Sequence, residues 1–131
     1  MVLMDTTFLI DLMRGRERAV ALLEELEKED EPIALATTTL AEFYRGLATL
    51  ALSAAEKRRV AEVVKGRPLL PLDAAAAERA GQLDAELWAR GEPIDPEDGA
   101  VAGIALSRDH VLVTRRAREF GRVEGLRLRT Y

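Results

Sequence analysis

The stretch Val2-Leu3-Met4-Asp5-Thr6 decides how the rest of the chain is read. Three apolar residues in a row, with no polar alternation, read as a strand buried on both faces, the pattern of a parallel sheet covered by helices. Asp5 then places a charge where that strand must end. In an open parallel sheet, ligands gather outside the carboxyl ends of the strands. Asp5 is therefore either the cap of the following helix or the first piece of a site.

Working outward, Thr7 to Met13 has helical character and Gly15 ends it. Arg16 to Asp30 reads as an amphipathic helix, with Ala19, Leu22, Leu23 and Leu26 at i, i+3, i+4 and i+7 and its acids outside. Pro32 stops it, and Ile33 to Ala36 is a second buried strand. Thr37-Thr38-Thr39 offers hydroxyls to cap the next helix, which carries Leu40, Phe43, Tyr44, Leu47 and Leu50 on one side. Ser53-Ala54-Ala55-Glu56 is a capping box opening a helix that runs to Gly66. Pro68 to Leu72 suggests a third strand. Asp73 caps a long helix with Ala76, Ala80, Leu83 and Leu87 as its buried stripe and Gly91 as its end. Asp95-Pro96 opens a helix over 96–107 that is apolar nearly all round, so the sheet and a second body, such as another subunit, are expected to cover it. Val111 to Val113 is a strand, Thr114 to Phe120 a turn or short helix, and Leu126 to Leu128 a last strand. Short strands alternating with helices predict a three-layer α/β/α domain with a central, mainly parallel sheet, spanning 1–131 as one unit.

Composition narrows the function classes. Apolar residues at 48% and charged residues at 32% describe an ordinary globular chain. No apolar run approaches the ~20 residues that cross a bilayer, and no basic segment precedes a long apolar core. A cytoplasmic protein with no membrane partner is the expectation. Without cysteine there is no disulfide or thiolate chemistry. The net charge of −4 argues against coating nucleic acid by bulk attraction. From Arg108 to Tyr131, however, seven arginines face three acids, either a phosphate-binding strip or a solvated rim.

Four acids follow predicted strands or open the helices at that edge: Asp5, Glu42, Asp98 and Glu119. Each has a plain structural alternative. Asp5 could cap the first helix, Thr39-x-x-Glu42 has capping-box spacing, Asp95 to Asp98 matches cap geometry, and Glu119 could be a surface acid among arginines. Taken together they mean more. Helices that follow parallel strands begin at one edge of the sheet, and their side chains tilt toward their own N-termini. First-turn acids on several such helices are therefore aimed at one cleft, where they repel unless a cation neutralises them. Oxygen ligands without His or Cys suit Mg²⁺, or Mn²⁺ in its place, rather than structural zinc. Such a site can activate water against a phosphodiester.

Val2-Leu3-Met4-Asp5-Thr6-Thr7-Phe8-Leu9-Ile10-Asp11 resembles the opening motif of PIN-domain nucleases, specifically of the VapC toxins of type II toxin–antitoxin pairs. Thr39 to Gly46 resembles their second motif, whose Glu is a metal-site acid. Ile94 to Leu106, with Asp98 before Gly99-Ala100-Val101-Ala102-Gly103, is similar to the third, and Val111 to Phe120 to the fourth. The motifs occur in order along the whole chain. The resemblance implies a PIN fold and a Mg²⁺-dependent endoribonuclease, with Asp5, Glu42 and Asp98 as metal ligands and Glu119 as a fourth catalytic acid. It also implies an RNA substrate, a small antitoxin and a homodimer.

One place departs from the family pattern. The fourth motif usually has Asn or Asp, then Asp before Phe, where this chain has Arg116 and Glu119. Either Glu119 takes the fourth acidic role or the site runs on three acids; Arg116 would then hold substrate phosphate or pair with Glu119. Arg14, Arg45 and Arg115 are further candidates for positioning an RNA backbone. Thr6 and Thr7 are candidates to bond the first carboxylate, Asp11 lies too far into its helix to be a ligand, and His110 and Trp88 read as structural. Other readings of an acid after the first strand are an aspartyl-phosphate phosphatase, a receiver module, or an inactive PIN-like binding domain. The first two fit worse, because position 7 is Thr rather than a second Asp and the lysines are only Lys28, Lys57 and Lys65.

Overall fold

In a computed structural model describing residues 1–131, five strands form one all-parallel sheet. They are β1 (Val2–Met4), β2 (Ile33–Ala36), β3 (Leu69–Leu70), β4 (Val111–Val113) and β5 (Leu128–Arg129). The order β3-β2-β1-β4-β5 puts the opening stretch in the middle, flanked by β2 and β4. A middle strand under helices on both sides needs apolar residues at every position, and Val2, Leu3 and Met4 are all buried.

The pleat divides those residues between two cores. Val2, Met4, Ile33, Leu35 and Val113 face α1 (Thr6–Met13), α2 (Glu17–Lys28), α3 (Thr37–Leu47) and α4 (Ala54–Val64). Leu3, Ala34, Ala36 and Leu112 face α5 (Ala74–Ala89), α6 (Pro96–Ser107) and α7 (Ala117–Phe120). This is the three-layer architecture read from the sequence.

The all-apolar α6 is covered by the sheet and by α5, so no second subunit is required to bury it. Its Gly103 explains the close approach. A Cβ there would lie 2.6 Å from the carbonyl oxygen of Ala76 and 2.7 Å from the Cβ of Ala80. The predicted helix ends hold within a residue or two, including the Ser53/Glu56 capping box and the Asp73 cap.

Three expectations are corrected. The last strand is Leu128–Arg129, because pairing with Leu112 and Val113 begins there, while Leu126 packs into the core from the preceding turn. Leu50 is 46% exposed because α3 stops at Leu47, and Tyr44, though inside α3, is 49% exposed because it lies off the Leu40, Phe43 and Leu47 stripe that packs on the core. Trp88 is 73% exposed and is not a packing residue. No helix is long and apolar enough to cross a membrane.

Candidate active site

The carboxyl edge of the sheet collects the acids. Asp5 follows β1 directly and is 2% exposed. The choice between cap and site residue turns out to be no choice, since its Oδ1 accepts the backbone N–H of Phe8 at 2.9 Å and so caps α1. The Thr7 hydroxyl donates to both carboxylate oxygens at 2.8 and 2.9 Å. The Thr114 hydroxyl, one residue beyond β4, donates to Oδ2 at 2.5 Å. Burial lifts the Asp5 carboxyl above the usual carboxylate range, against the pull of the Thr114, Phe8 and Thr7 hydrogen bonds and the nearby Arg116 charge.

Glu42 reaches the same edge from the second turn of α3. The capping box expected for Thr39 and Glu42 is absent. Strand β2 runs straight into α3 with Ala36 as N-cap, so Thr39 lies inside the first turn and is buried. Glu42 instead accepts a 2.6 Å hydrogen bond from the Thr6 hydroxyl, which ties it to the residue beside Asp5. Its carboxyl is also raised, first by burial, opposed by the Thr6 bond, and further by the charges of Glu97 and Asp98. Asp98 is 8% exposed on the first turn of α6. The cap of that helix is Asp95, which accepts the Glu97 N–H, and this leaves the Asp98 carboxylate free for the cleft.

Arg116 holds Asp98. Its two terminal nitrogens donate to the two carboxylate oxygens at 2.9 and 2.7 Å, a fork-to-fork pair. The expected partner Glu119 is not used. Phe120 is buried at the end of the one-turn α7, so Glu119, one residue earlier, faces solvent, and its charge acts on Arg116 only at a distance. The structure thus brings Asp5, Glu42 and Asp98 to one edge and leaves Glu119 at the rim.

Sequence reasoning missed Thr114 and Glu97. The pairing of Met4 with Val113 places Thr114 beside Asp5, but strand adjacency cannot be read from the chain alone. Glu97 forms a bidentate pair with Arg45 at 2.7 and 3.1 Å, bridging α3 and α6 across the cleft. Buried Asp11 accepts from Tyr131 Oη at 2.7 Å and from the half-exposed Arg115 at 3.1 Å. Much of the arginine-rich end is likewise paired within the chain: Arg108 with Asp73, Arg127 with Asp109, and Arg129 with Glu25 and Glu29. Arg14 lines a shallow pocket of about 90 Å³ beside Glu42, with Ile10, Met13, Phe43 and Leu47.

The donor set is one of oxygen atoms alone, which suits a hard divalent cation. Arg45 and Arg116 are matched to Glu97 and Asp98, whereas no cation contacts Asp5 or Glu42. Two carboxyls pushed upward at one edge mark a place that a positive charge would stabilise. With Arg116 across Asp98, no three acids stand close enough together to hold one ion in the arrangement seen.

Comparison with known proteins identifies the family. A PIN domain family model matches residues 2–126. The tRNA(fMet)-specific endonuclease VapC of Shigella flexneri is 32% identical over 125 residues, covering 95% of this chain and 93% of that protein. The DNA-bound VapBC complex of Salmonella typhimurium contains a chain that is 30% identical with a TM-score of 0.81, covering 99% of this chain and 98% of that one. The VapBC2 complex of Rickettsia felis, bound to a promoter DNA fragment, shares the fold at a TM-score of 0.88 and 23% identity over 100% of this chain and 99% of that one. The chain belongs to the PIN-domain VapC endonucleases, the toxin component of toxin–antitoxin pairs.

Proposed function

We propose that this VapC endonuclease is a Mg²⁺-dependent endoribonuclease in which Asp5, Glu42 and Asp98, drawn closer together than in the arrangement seen, hold the ion, and that Mn²⁺ can replace it. The observation that carries the proposal is the arrival of three carboxylates from three separate elements at one sheet edge, where Glu42 is pushed up by burial and by Glu97 and Asp98. When bound, the ion supplies Lewis acidity toward water and the phosphoryl oxygens. The chain supplies orientation. Thr114, Thr7 and the Phe8 N–H fix Asp5, Thr6 fixes Glu42, and Arg116 fixes Asp98.

The Shigella relative's specificity supports a tRNA, initiator tRNA first, as the substrate. Arg14, which lines the pocket beside Glu42, and the exposed Arg45 and Arg115 are the side chains offered to a phosphate backbone in this reading. Glu119 is a rim residue in this scheme, and the centre runs on three acids.

The VapBC relatives support a VapB-like antitoxin as partner. The exposed Leu50 and the other apolar residues of the pocket beside Glu42 offer its inhibitory segment a surface next to that acid. The buried α6 does not offer one. A homodimer acting in the cytoplasm, with residues 1–131 as one PIN domain, completes the proposal. The test is incubation of RNA with purified protein and Mg²⁺, with chelator, and with Asp5→Asn. Cleavage confined to the first arm is expected; cleavage surviving chelation or the substitution would sink the metal assignment.

A further inference from the structure

The guanidinium of Arg116 does something the sequence did not predict. It makes a two-pronged contact with Asp98 at 2.9 and 2.7 Å, with side chains only 33% and 12% exposed. The arginine is also held from behind. Its backbone N–H donates to the Thr114 hydroxyl at 2.9 Å, and that hydroxyl in turn donates to Asp5. Its guanidinium carbon lies 5.5 Å from the centre of the Phe120 ring, a cation–π distance. A side chain fixed at its backbone, the face of its guanidinium and both terminal nitrogens is a built feature of the centre.

We infer that Arg116 is a tethered cation that holds Asp98 in the metal-free enzyme and competes with the divalent ion for that carboxylate. The inference rests on the metal-site proposal above. Of the four acids at this edge, Glu97 is matched by Arg45 and Asp98 by Arg116, which leaves Asp5 and Glu42 to attract an incoming ion. An ion that also takes Asp98 must displace the fork or share its oxygens, and two cations on one carboxylate repel in a half-desolvated site. A neutral side chain at 116 would leave three unmatched carboxylates instead of two. Arg116 is thus a positioning residue with an opposing effect: it keeps Asp98 ordered without metal and weakens the grip on metal.

The test is a calorimetric titration of metal-free protein with Mn²⁺, without RNA, for wild type, Arg116→Asn, Arg116→Lys and Asp5→Asn. Arg116→Asn is expected to bind Mn²⁺ roughly tenfold more tightly, as follows from removing one charge-assisted competitor from a partly buried carboxylate. Arg116→Lys, which keeps the charge without the fork, should fall between that variant and wild type. Equal or weaker binding by Arg116→Asn overturns the inference, because a purely structural strut gives no gain. Asp5→Asn separates this from the underlying reading: if it binds Mn²⁺ like wild type, the metal site and the inference fall together. If it loses Mn²⁺ while Arg116→Asn matches wild type, the inference falls alone. Should Arg116→Asn not fold, wild-type ¹⁵N spectra decide, since the Arg116 guanidinium signals are expected to shift on saturation with Mg²⁺. Unchanged signals would overturn the inference.

Discussion

Replacing Thr114 with valine removes one oxygen and almost no volume from a position that is 0% exposed. That hydroxyl donates to Asp5 Oδ2 and accepts from the Arg116 N–H. Losing a hydrogen bond to a buried carboxylate costs about 1.5–3 kcal/mol, and an orphaned, partly buried N–H adds about 1 kcal/mol. Thr114→Val should therefore lower stability near pH 7 by roughly 2–4 kcal/mol, the sum of those two losses. The pH dependence is diagnostic. The folded Asp5 carboxyl is already raised above its ordinary 3.8, so the folded state holds that proton more tightly than the unfolded chain does. Stability is consequently lost as pH rises from the unfolded value through the folded one. Without Thr114, the foremost hydrogen bond pulling the carboxyl down, the folded value rises further and the loss deepens. Urea unfolding of metal-free protein at several pH values between about 4 and 7 should show the gap between variant and wild type widening with pH. A gap below about 0.5 kcal/mol, or one constant across pH, would refute the role given to Thr114.

Other consequences are checked as simply. Gly103→Ala forces a methyl against the Ala76 carbonyl and Ala80 on α5, and an overpacking cost of about 1–3 kcal/mol should appear as a lowered Tm. Tyr131→Phe leaves Asp11 with Arg115 alone. A loss of about 1–2 kcal/mol in chemical denaturation is expected. Saturating Mg²⁺ should raise the Tm of wild type, by about 2.7 kcal/mol of stability at a hundredfold excess over Kd. It should leave Asp5→Asn unmoved in the same thermal scan.

The sheet was legible because its strands are apolar runs bounded by breakers: Pro32 before Ile33, Asp5 after Met4, Thr114 after Val113. Those signals are local. What could not be read were matters of long-range placement. Leu126 is as apolar as Leu128, and only pairing with Leu112 decides that the last strand starts at 128. Cap spacing misled at Glu42 because β2 enters α3 with no loop, which moves Thr39 from cap to first turn. The shared sheet edge of Asp5, Glu42 and Asp98 was legible because each lies just after a strand or in the opening turns of a helix at that edge. The partners that set their character come from other elements. Thr114 acts across 109 residues of sequence, and Arg116 reaches Asp98 rather than its near neighbour Glu119. A one-turn helix with Phe120 turned inward leaves Glu119 exposed.

The central claim is that three carboxylates, and not Glu119, make one RNA-cutting centre. It is tested most directly by single-turnover cleavage of initiator tRNA in Mg²⁺ by Asp5→Asn, Glu42→Gln, Asp98→Asn and Glu119→Gln, with thermal unfolding to verify that each is folded. The first three are each expected to lose on the order of 10²-fold or more in rate, while Glu119→Gln stays within a few-fold of wild type. A folded Asp5, Glu42 or Asp98 variant that cuts at the wild-type rate, or a Glu119 variant as dead as those three, would contradict it.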